Sequence, residues 1–173
     1  MGNTSSKEEV KLGAKIGEGS YAEVYRAVWN NKPVAAKKLH SYLLAKTDVT
    51  KKFRAEWELL SQLDHPNIVK YLRVVLPESP KETPIIVTEL LEQDLRKFII
   101  TSRTTPKVTF RDTVSIMLDV AQGLDYLHQR PEPVVHRDLA CKNILLTANE
   151  NRRRLPILDL RSVFGRRKHG CHS

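Results

Sequence analysis

Residues 134–146 place reactive side chains between two apolar runs. The triplet 136–138 reads His-Arg-Asp, and Asn143 follows its Asp by five residues. The apolar runs 134–135 and 144–146 lie on either side, and we predict that they form strands that hold the loop still. The loop therefore carries an acid, a base and an amide in fixed positions. On its own, a His-Arg-Asp triplet is as typical of a surface loop as of a reactive site.

A glycine-rich stretch lies far upstream of this loop. Residues 10–16 and 22–29 alternate between apolar and polar side chains, which predicts two strands, and Gly17 and Gly19 lie between them. Glycine has no side chain to obstruct the backbone, so N–H groups in such a loop can turn toward phosphate oxygens. An ordinary hairpin turn is the alternative. Residues 30–33 have the composition of a turn.

Lys37 lies in a third predicted strand, and a predicted helix over residues 48–63 follows it. A lone lysine in a strand usually faces solvent, but the glycines before Lys37 and the acidic helix after it favour a functional role. Glu56 lies beside the apolar stripe of the helix, whereas Glu58 is a rival acidic residue that is more typical of a solvent-facing position. The stripe consists of apolar residues at helical spacing: Phe53, Trp57, Leu60 and Leu63.

Six elements in one order resemble the protein kinase family: a glycine loop, a lysine strand, an acidic helix, a connector, a long helix and the His-Arg-Asp loop. The resemblance covers about residues 10–147. Residues 17–25 resemble the family's glycine loop, with Ala22 in place of its third glycine, and residues 34–37 resemble its Val-Ala-Ile-Lys strand. The resemblance implies an α+β fold. It consists of a small five-stranded antiparallel β-sheet lobe with one helix, followed by an incomplete helical lobe.

The resemblance also implies the reaction, which is transfer of the γ-phosphoryl group of ATP to a protein hydroxyl with Mg²⁺ as second cofactor. In this family Asp138 would accept the hydroxyl proton, Lys142 would stabilise charge near the γ-phosphate, and Asn143 would hold magnesium. Lys37, paired with Glu56, would contact the α- and β-phosphates. The other nucleotide-binding positions that the family implies are Ile16, Gly17, Gly19, Val24, Ala35, Glu89, Leu91 and Leu145.

The second half of the resemblance rests on three predicted elements. Residues 84–92 predict a buried strand that runs into a connector, and by resemblance Thr88 is the gatekeeper residue. Residues 94–100 predict a short helix. Residues 110–129 predict a longer helix that resembles the one before the kinase catalytic loop. Its apolar positions fall on one face: Val114, Met117, Leu118, Ala121, Leu124 and Leu127.

The residues after Asp138 help to indicate which hydroxyl accepts the phosphoryl group. Ala140 stands where serine/threonine kinases usually carry lysine, and Lys142 lies four residues after Asp138. The segment Asp-Leu-Ala-Cys-Lys-Asn is more similar to the tyrosine kinase segment Asp-Leu-Ala-Ala-Arg-Asn. The resemblance therefore favours the tyrosine kinase or tyrosine-kinase-like group, with Tyr and Ser/Thr hydroxyls both open as acceptors.

The resemblance weakens after Asn143. Where the family has Asp-Phe-Gly, this chain has Asp159 followed by Leu and Arg, after an apolar run over 155–158 and at a longer spacing than usual. Asp159 is the candidate second magnesium ligand. The sequence has no Ala-Pro-Glu motif, and residues 164–173 do not resemble an activation segment. Two functions stay open: a protein kinase with a truncated chain, and a non-catalytic fragment that binds ATP or a partner, as a pseudokinase or dominant-negative form.

Composition limits the other function classes. The 173-residue chain has a net charge of +9, and seven basic residues against Asp159 give +6 to residues 151–173 alone. The basic charge therefore belongs to a tail and does not indicate nucleic-acid binding. No apolar run approaches the roughly 20 residues that a transmembrane helix needs. Cys141 and Cys171 form no Cys-x-x-Cys pair and fit a reducing, intracellular compartment.

The amino terminus matches the N-myristoylation pattern, with Gly2 exposed after removal of Met and Ser6 at the hydroxyl position. A plain disordered terminus is the alternative. Neither a polybasic run nor a nearby cysteine supplies a second membrane signal. We therefore expect a cytoplasmic protein with a protein substrate and, at most, weak and transient membrane contact. The expected regions are a disordered terminus (1–9), a kinase N-lobe (10–91), a partial C-lobe (92–160) and a basic tail (161–173).

Overall fold

The computed structural model describes residues 9–79, 82–102, 109–147 and 155–158. Two β-sheets and three α-helices form in these ranges. The strands are β1 (Lys11–Glu18), β2 (Ala22–Trp29), β3 (Lys32–Leu39), β4 (Tyr71–Val75), β5 (Ile85–Glu89), β6 (Gln93–Asp94), β7 (Ile144–Thr147) and β8 (Leu155–Leu158). The helices are α1 (Thr47–Leu60), α2 (Leu95–Ser102) and α3 (Phe110–His128), with short 3₁₀ turns at Ser41–Leu43 and Cys141–Asn143.

The first sheet is antiparallel, with the strand order β1-β2-β3-β5-β4. A two-residue turn joins β2 to β3, because Asn30 and Asn31 adopt φ values of 52° and 58°. Asparagine tolerates this left-handed conformation, which matches the twist of a hairpin. The turn predicted over residues 30–33 is therefore two residues longer than the observed turn. Pro33 belongs to β3, opposite Val28, and lies outside the part of β3 that pairs with β5.

Helix α1 packs against the first sheet and completes what we term the first lobe. Its buried side chains are Phe53, Glu56 and Leu60, which lie on one face because they are three and four residues apart. The helix ends at Leu60, three residues before the predicted end, and Leu63 is buried in the turn that follows. The predicted apolar stripe is thus present, and it covers the core under β3 and β5.

The second lobe consists of α2, α3 and the three-stranded sheet β6-β7-β8. Helix α3 begins with a capping box in which Thr109 accepts a hydrogen bond from the Asp112 N–H and Asp112 accepts one from the Thr109 N–H. Val120 and Leu127 of α3 are buried in the core, and the partly buried Ile116, Leu124 and Tyr126 pack against it. The predicted apolar face is largely exposed in its amino-terminal half: Val114, Met117 and Leu118.

The flanks of the His-Arg-Asp loop differ from each other. Residues 144–147 form β7 as predicted, but residues 134–135 form no strand. Instead, the N–H of Val134 donates to the carbonyl of Leu127 at the end of α3. The loop is therefore held by a helix on one side and a strand on the other. The expected fold class is confirmed: a small antiparallel β-sheet lobe with one helix, joined to part of a helical lobe.

Candidate active site

A cleft of about 790 Å³ is lined by residues of both lobes. This volume lies within the range of small-molecule and cofactor sites. All but two of the residues predicted to act in catalysis, to bind the nucleotide or to bind magnesium line it: Ile16, Gly17, Gly19, Val24, Ala35, Lys37, Glu89, Leu91, Asp138, Lys142, Asn143 and Leu145. Glu56 lies behind Lys37, and Asp159 lies outside the described residues.

Lys37 and Glu56 form a buried ion pair at the back of the cleft. The Lys37 Nζ lies 2.6 Å from each carboxylate oxygen of Glu56, and the two side chains are 6% and 0% exposed. β3 supplies the lysine from a central strand, and α1 supplies the glutamate from its buried face. Glu58, the rival in the sequence, is exposed and pairs with Arg54 on the outer face of α1. The structure therefore places Glu56, and not Glu58, beside Lys37.

Tyr21 joins this pair and was missed by sequence reasoning. Its hydroxyl donates to Glu56 Oε2 at 2.9 Å and accepts from Lys37 Nζ at 3.0 Å. The Lys37 Nζ also lies 4.6 Å from the centroid of the tyrosine ring. In the sequence, the position of Tyr21 two residues after Gly19 is the signal that could have placed it near the cleft. Its two partners are 16 and 35 residues away in the chain, so local patterns do not reveal the contacts.

The His-Arg-Asp loop fixes Asp138 through its backbone and through Asn143. Arg137 adopts φ = 60°, an uncommon conformation for a residue with a side chain. This bend lets the N–H of Asp138 donate to the carbonyl of His136 at 2.8 Å. The Asn143 amide donates to both the carbonyl and the Oδ2 of Asp138, at 2.7 and 3.1 Å. Lys142 Nζ lies 3.8 Å from the same Oδ2 and stays half-exposed.

A charged network fastens the two arms of the glycine loop. Lys15 on β1 lies 2.8 Å from Glu18 and 3.0 Å from Glu23 on β2, and the Tyr25 hydroxyl donates to Glu23 at 2.7 Å. The hydrogen bonds from Tyr25 and then Lys15 lower the pKa of Glu23. The hydrogen bond to Glu23 raises the pKa of Tyr25, and those to Glu18 and Glu23 raise the pKa of Lys15. The arms are therefore held together on the outer surface, away from Lys37.

Comparison with known proteins agrees with this geometry. Residues 10–155 match the model of the family described as protein tyrosine and serine/threonine kinase. The chain belongs to this kinase family. The predicted family membership is therefore confirmed, and the match covers both lobes and ends within β8.

Individual kinases show the same similarity. The chain is 37% identical over 134 residues to serine/threonine-protein kinase VIK of Arabidopsis thaliana, which covers 77% of this chain and 29% of that protein. It is 38% identical over 133 residues to tyrosine-protein kinase receptor svh-2 of Caenorhabditis elegans, covering 76% of this chain and 12% of the receptor. The chain thus spans less than a third of either relative. One of these relatives is named a serine/threonine kinase and the other a tyrosine kinase. That this chain belongs to the tyrosine kinase or tyrosine-kinase-like group therefore stays a prediction.

The kinase connector between the lobes is tied to both of them. The N–H of Glu89 donates to the carbonyl of Lys70, and the N–H of Glu92 donates to the carbonyl of Leu146 on β7. The carbonyl of Glu89 accepts from the Thr88 hydroxyl at 3.3 Å. The connector residues Glu89 and Leu91 both line the cleft.

Of the two predicted magnesium ligands, Asn143 belongs to the described residues and Asp159 does not. The Asn143 amide nitrogen is committed to Asp138, so its oxygen is the atom that suits a hard cation. Leu158, which precedes Asp159, pairs with Ile144, which follows Asn143. Within the ranges that the structure describes, no three His, Cys, Asp or Glu side chains converge as a metal site. The same ranges contain no helix long and apolar enough to cross a membrane. The myristoylation pattern at Gly2 lies outside them.

Proposed function

We propose that the cleft binds ATP with Mg²⁺ and is built for transfer of the γ-phosphoryl group to a protein hydroxyl. The observation that carries the proposal is that the buried Lys37–Glu56 pair and the fixed Asp138–Asn143 pair are brought to the same cleft. Bound ATP would supply the phosphoryl group, and magnesium would neutralise its charge. The side chains of this cleft would position both ligands.

Each of these side chains has a distinct role in the proposal. Glu56 holds the Lys37 ammonium at the back of the cleft, where it would bind phosphate oxygens. Asp138, oriented by Asn143, would accept the proton of the acceptor hydroxyl. Lys142 is half-exposed beside Asp138, so it can move toward charge that develops on the transferred group. Asn143 would bind magnesium through its amide oxygen.

The glycine loop supports close approach by a ligand. Within the described residues no glycine has a positive φ, so Gly19 is not required by its backbone conformation. A Cβ at Gly19 would meet the Ala22 carbonyl at 3.5 Å, which is ordinary contact. The absence of a side chain there is therefore not needed by the protein itself. It leaves the backbone accessible to a group that binds in the cleft.

A second candidate is a nucleotide-binding module without transfer activity. One sequence feature favours it: Asp159 is followed by Leu and Arg, where active family members carry Phe and Gly. An arginine two residues after the proposed metal ligand would add positive charge near the cation and weaken its binding. Both candidates share the same ATP site, so they are separated by the transfer step alone.

Calorimetric titration with Mg-ATP tests the shared site. We expect Lys37→Met to weaken ATP binding about 10- to 100-fold, since a hydrogen bond to a charged group contributes roughly 1.5–3 kcal/mol. Lys38→Met is the matched control, because neighbouring residues of a strand point to opposite faces and Lys38 does not line the cleft. Equal ATP affinity of the wild type and Lys37→Met would refute Lys37 as the phosphate contact.

Transfer of radiolabelled phosphate to a mixed pool of Tyr and Ser peptides separates the two candidates. Transfer that is abolished by Asp138→Asn, and retained by Asp125→Asn on the exposed surface of α3, supports the kinase. ATP binding without transfer in any of the three proteins supports the non-catalytic module. The labelled residue would also show which hydroxyl the site accepts.

A further inference from the structure

The side chain of Tyr21 occupies the part of the cleft that contains Lys37. Tyr21 follows the glycine loop and lines the cleft together with Gly17, Gly19 and Lys37. Its hydroxyl lies between the lysine ammonium and the Glu56 carboxylate, at 3.0 and 2.9 Å. Tyr21 therefore joins the buried pair as a third residue, and it comes from the glycine loop and not from β3 or α1.

The Lys37 Nζ is bonded to acceptors of two kinds. Both carboxylate oxygens of Glu56 lie at 2.6 Å, and the Tyr21 hydroxyl lies at 3.0 Å. Of these two residues, Tyr21 lines the cleft and Glu56 does not. A phosphate oxygen that enters the cleft therefore competes with the Tyr21 hydroxyl for Lys37. The neutral hydroxyl is held less strongly than the carboxylate oxygens, so it is the acceptor that yields.

The backbone around Tyr21 holds its ring in this position. The carbonyl of Tyr21 accepts from the N–H of His40 at 3.0 Å, and the His40 Nε2 lies 3.2 Å from the carbonyl of Gly19. The edge of the ring also meets Phe53 of α1, with centroids 6.5 Å apart. His40, which follows β3, and Phe53 of α1 thus hold the end of the glycine loop beside Lys37.

We propose that Tyr21 is an internal latch, a positioning residue that holds the Lys37–Glu56 pair together in the absence of nucleotide and competes with phosphate for Lys37. This proposal rests on the proposed function, because it assumes that Lys37 binds phosphate. The latch makes ATP binding weaker than the open site would allow, since phosphate must compete with the Tyr21 hydroxyl for Lys37. It leaves recognition of the base at the connector unaffected.

The test is calorimetric titration of the full chain with Mg-ATP and, separately, with adenosine, which has no phosphate. Tyr21→Phe removes the hydroxyl and keeps the ring, so we expect about fivefold tighter binding of ATP and unchanged binding of adenosine. Tyr25→Phe is the matched control. It also removes a tyrosine hydroxyl bonded to a glutamate on the glycine loop hairpin, but one that lies away from Lys37. Thermal unfolding of each variant would confirm that it is folded.

The outcomes distinguish the latch from the nucleotide site. Tighter binding of ATP alone by Tyr21→Phe, with Tyr25→Phe like the wild type, supports the latch. Adenosine binding by all three proteins, with ATP no tighter in Tyr21→Phe, overturns the latch and leaves the nucleotide site in place. An equal gain for ATP and adenosine also overturns it, because the hydroxyl would then act on the whole cleft. Failure of every protein to bind either ligand overturns the proposed function, and the latch with it.

Discussion

At the scale of single residues, the burial of Glu56 decides between two acidic side chains that the sequence leaves close together. Glu56 and Glu58 are two residues apart, so they face different sides of α1. Glu56 is 0% exposed and accepts two bonds from Lys37. A buried charge is tolerated only with a partner, because removal from water costs several kcal/mol. Each member of the Lys37–Glu56 pair therefore depends on the other.

This dependence predicts a large difference between two equivalent substitutions on α1. Glu56→Gln removes the buried carboxylate charge that lies 2.6 Å from the Lys37 ammonium, and we expect it to lower the free energy of unfolding by on the order of 3 kcal/mol. Glu58→Gln breaks only an exposed pair with Arg54, and we expect a loss of less than about 1 kcal/mol. Urea unfolding of the two variants measures both values. Similar losses for the two would show that the buried pair does not stabilise the fold in this way.

At the scale of elements, the β1–β2 hairpin contains glycines with different constraints. A Cβ at Gly13 would lie 3.0 Å from the carbonyl oxygen of Arg26 on β2, whereas a Cβ at Gly19 meets no atom closer than 3.5 Å. The first glycine is needed for strand pairing because backbone atoms cannot easily give way. Gly19 is needed for the fold much less. We therefore infer that the absence of a side chain at Gly19 serves ligand binding.

Substitution of the two glycines should therefore cause different defects, in folding for Gly13 and in ligand binding for Gly19. We expect Gly13→Ala to lower the midpoint of thermal unfolding, because β1 must shift away from β2. We expect Gly19→Ala to unfold close to the wild-type temperature but to bind Mg-ATP several-fold more weakly, because the new methyl group obstructs approach to the loop backbone. Thermal unfolding and titration on the same two variants give the comparison. A Gly19→Ala protein with wild-type ATP affinity would contradict the assignment of this loop to phosphate binding.

Much of the element pattern could be predicted from local sequence. Alternation gives β2 its observed bounds, Ala22–Trp29, and the period of α1 identifies its buried face. The exposure of the apolar side chains at the start of α3 could not be predicted. An apolar pattern shows which residues share a face of a helix, but it does not show whether another element packs against that face. The contact of Tyr21 with Lys37 and Glu56 was equally out of reach, since it depends on three elements meeting in space. The family resemblance supplied the roles of the cleft residues, which local patterns alone do not give.

At the scale of the whole molecule, the two lobes share one apolar core. The largest buried cluster includes Leu60 and Leu63 from the first lobe with Leu127 and Leu146 from the second. A polar bracket reinforces it outside the cleft. Its members connect the turn after α1 to the end of α3: Gln62, Asp64, His65, Tyr126 and Arg130. Lys37 and Asp138 lie on opposite lobes, so their separation depends on these connections.

The bracket predicts that the lobes unfold together and that Tyr126 is central to their coupling. Its hydroxyl accepts from the Asp64 N–H at 3.0 Å, and its ring stacks on His65 with centroids 4.9 Å apart. In urea, we expect tryptophan fluorescence and far-ultraviolet circular dichroism to report one coincident transition for the wild type. The fluorescence reports on the first lobe, which contains both tryptophans, whereas most α-helical residues of the described structure belong to α2 and α3.

Tyr126→Ala removes the hydroxyl bond to Asp64, the stack on His65 and the apolar contact of the ring with the shared core. We therefore expect a lower midpoint by circular dichroism and a separation of the two transitions. Tyr42→Ala is the control, because Tyr42 also stacks on a histidine, His40 at 5.0 Å, but within the first lobe and at an exposed position. An aromatic contact of this kind contributes roughly 0.5–1.5 kcal/mol beyond the area it buries. If the stack itself were the cause, both variants would separate the transitions. Separation in Tyr126→Ala alone would locate the coupling at the junction of the lobes, and coincident transitions in both variants would assign it to the shared apolar core.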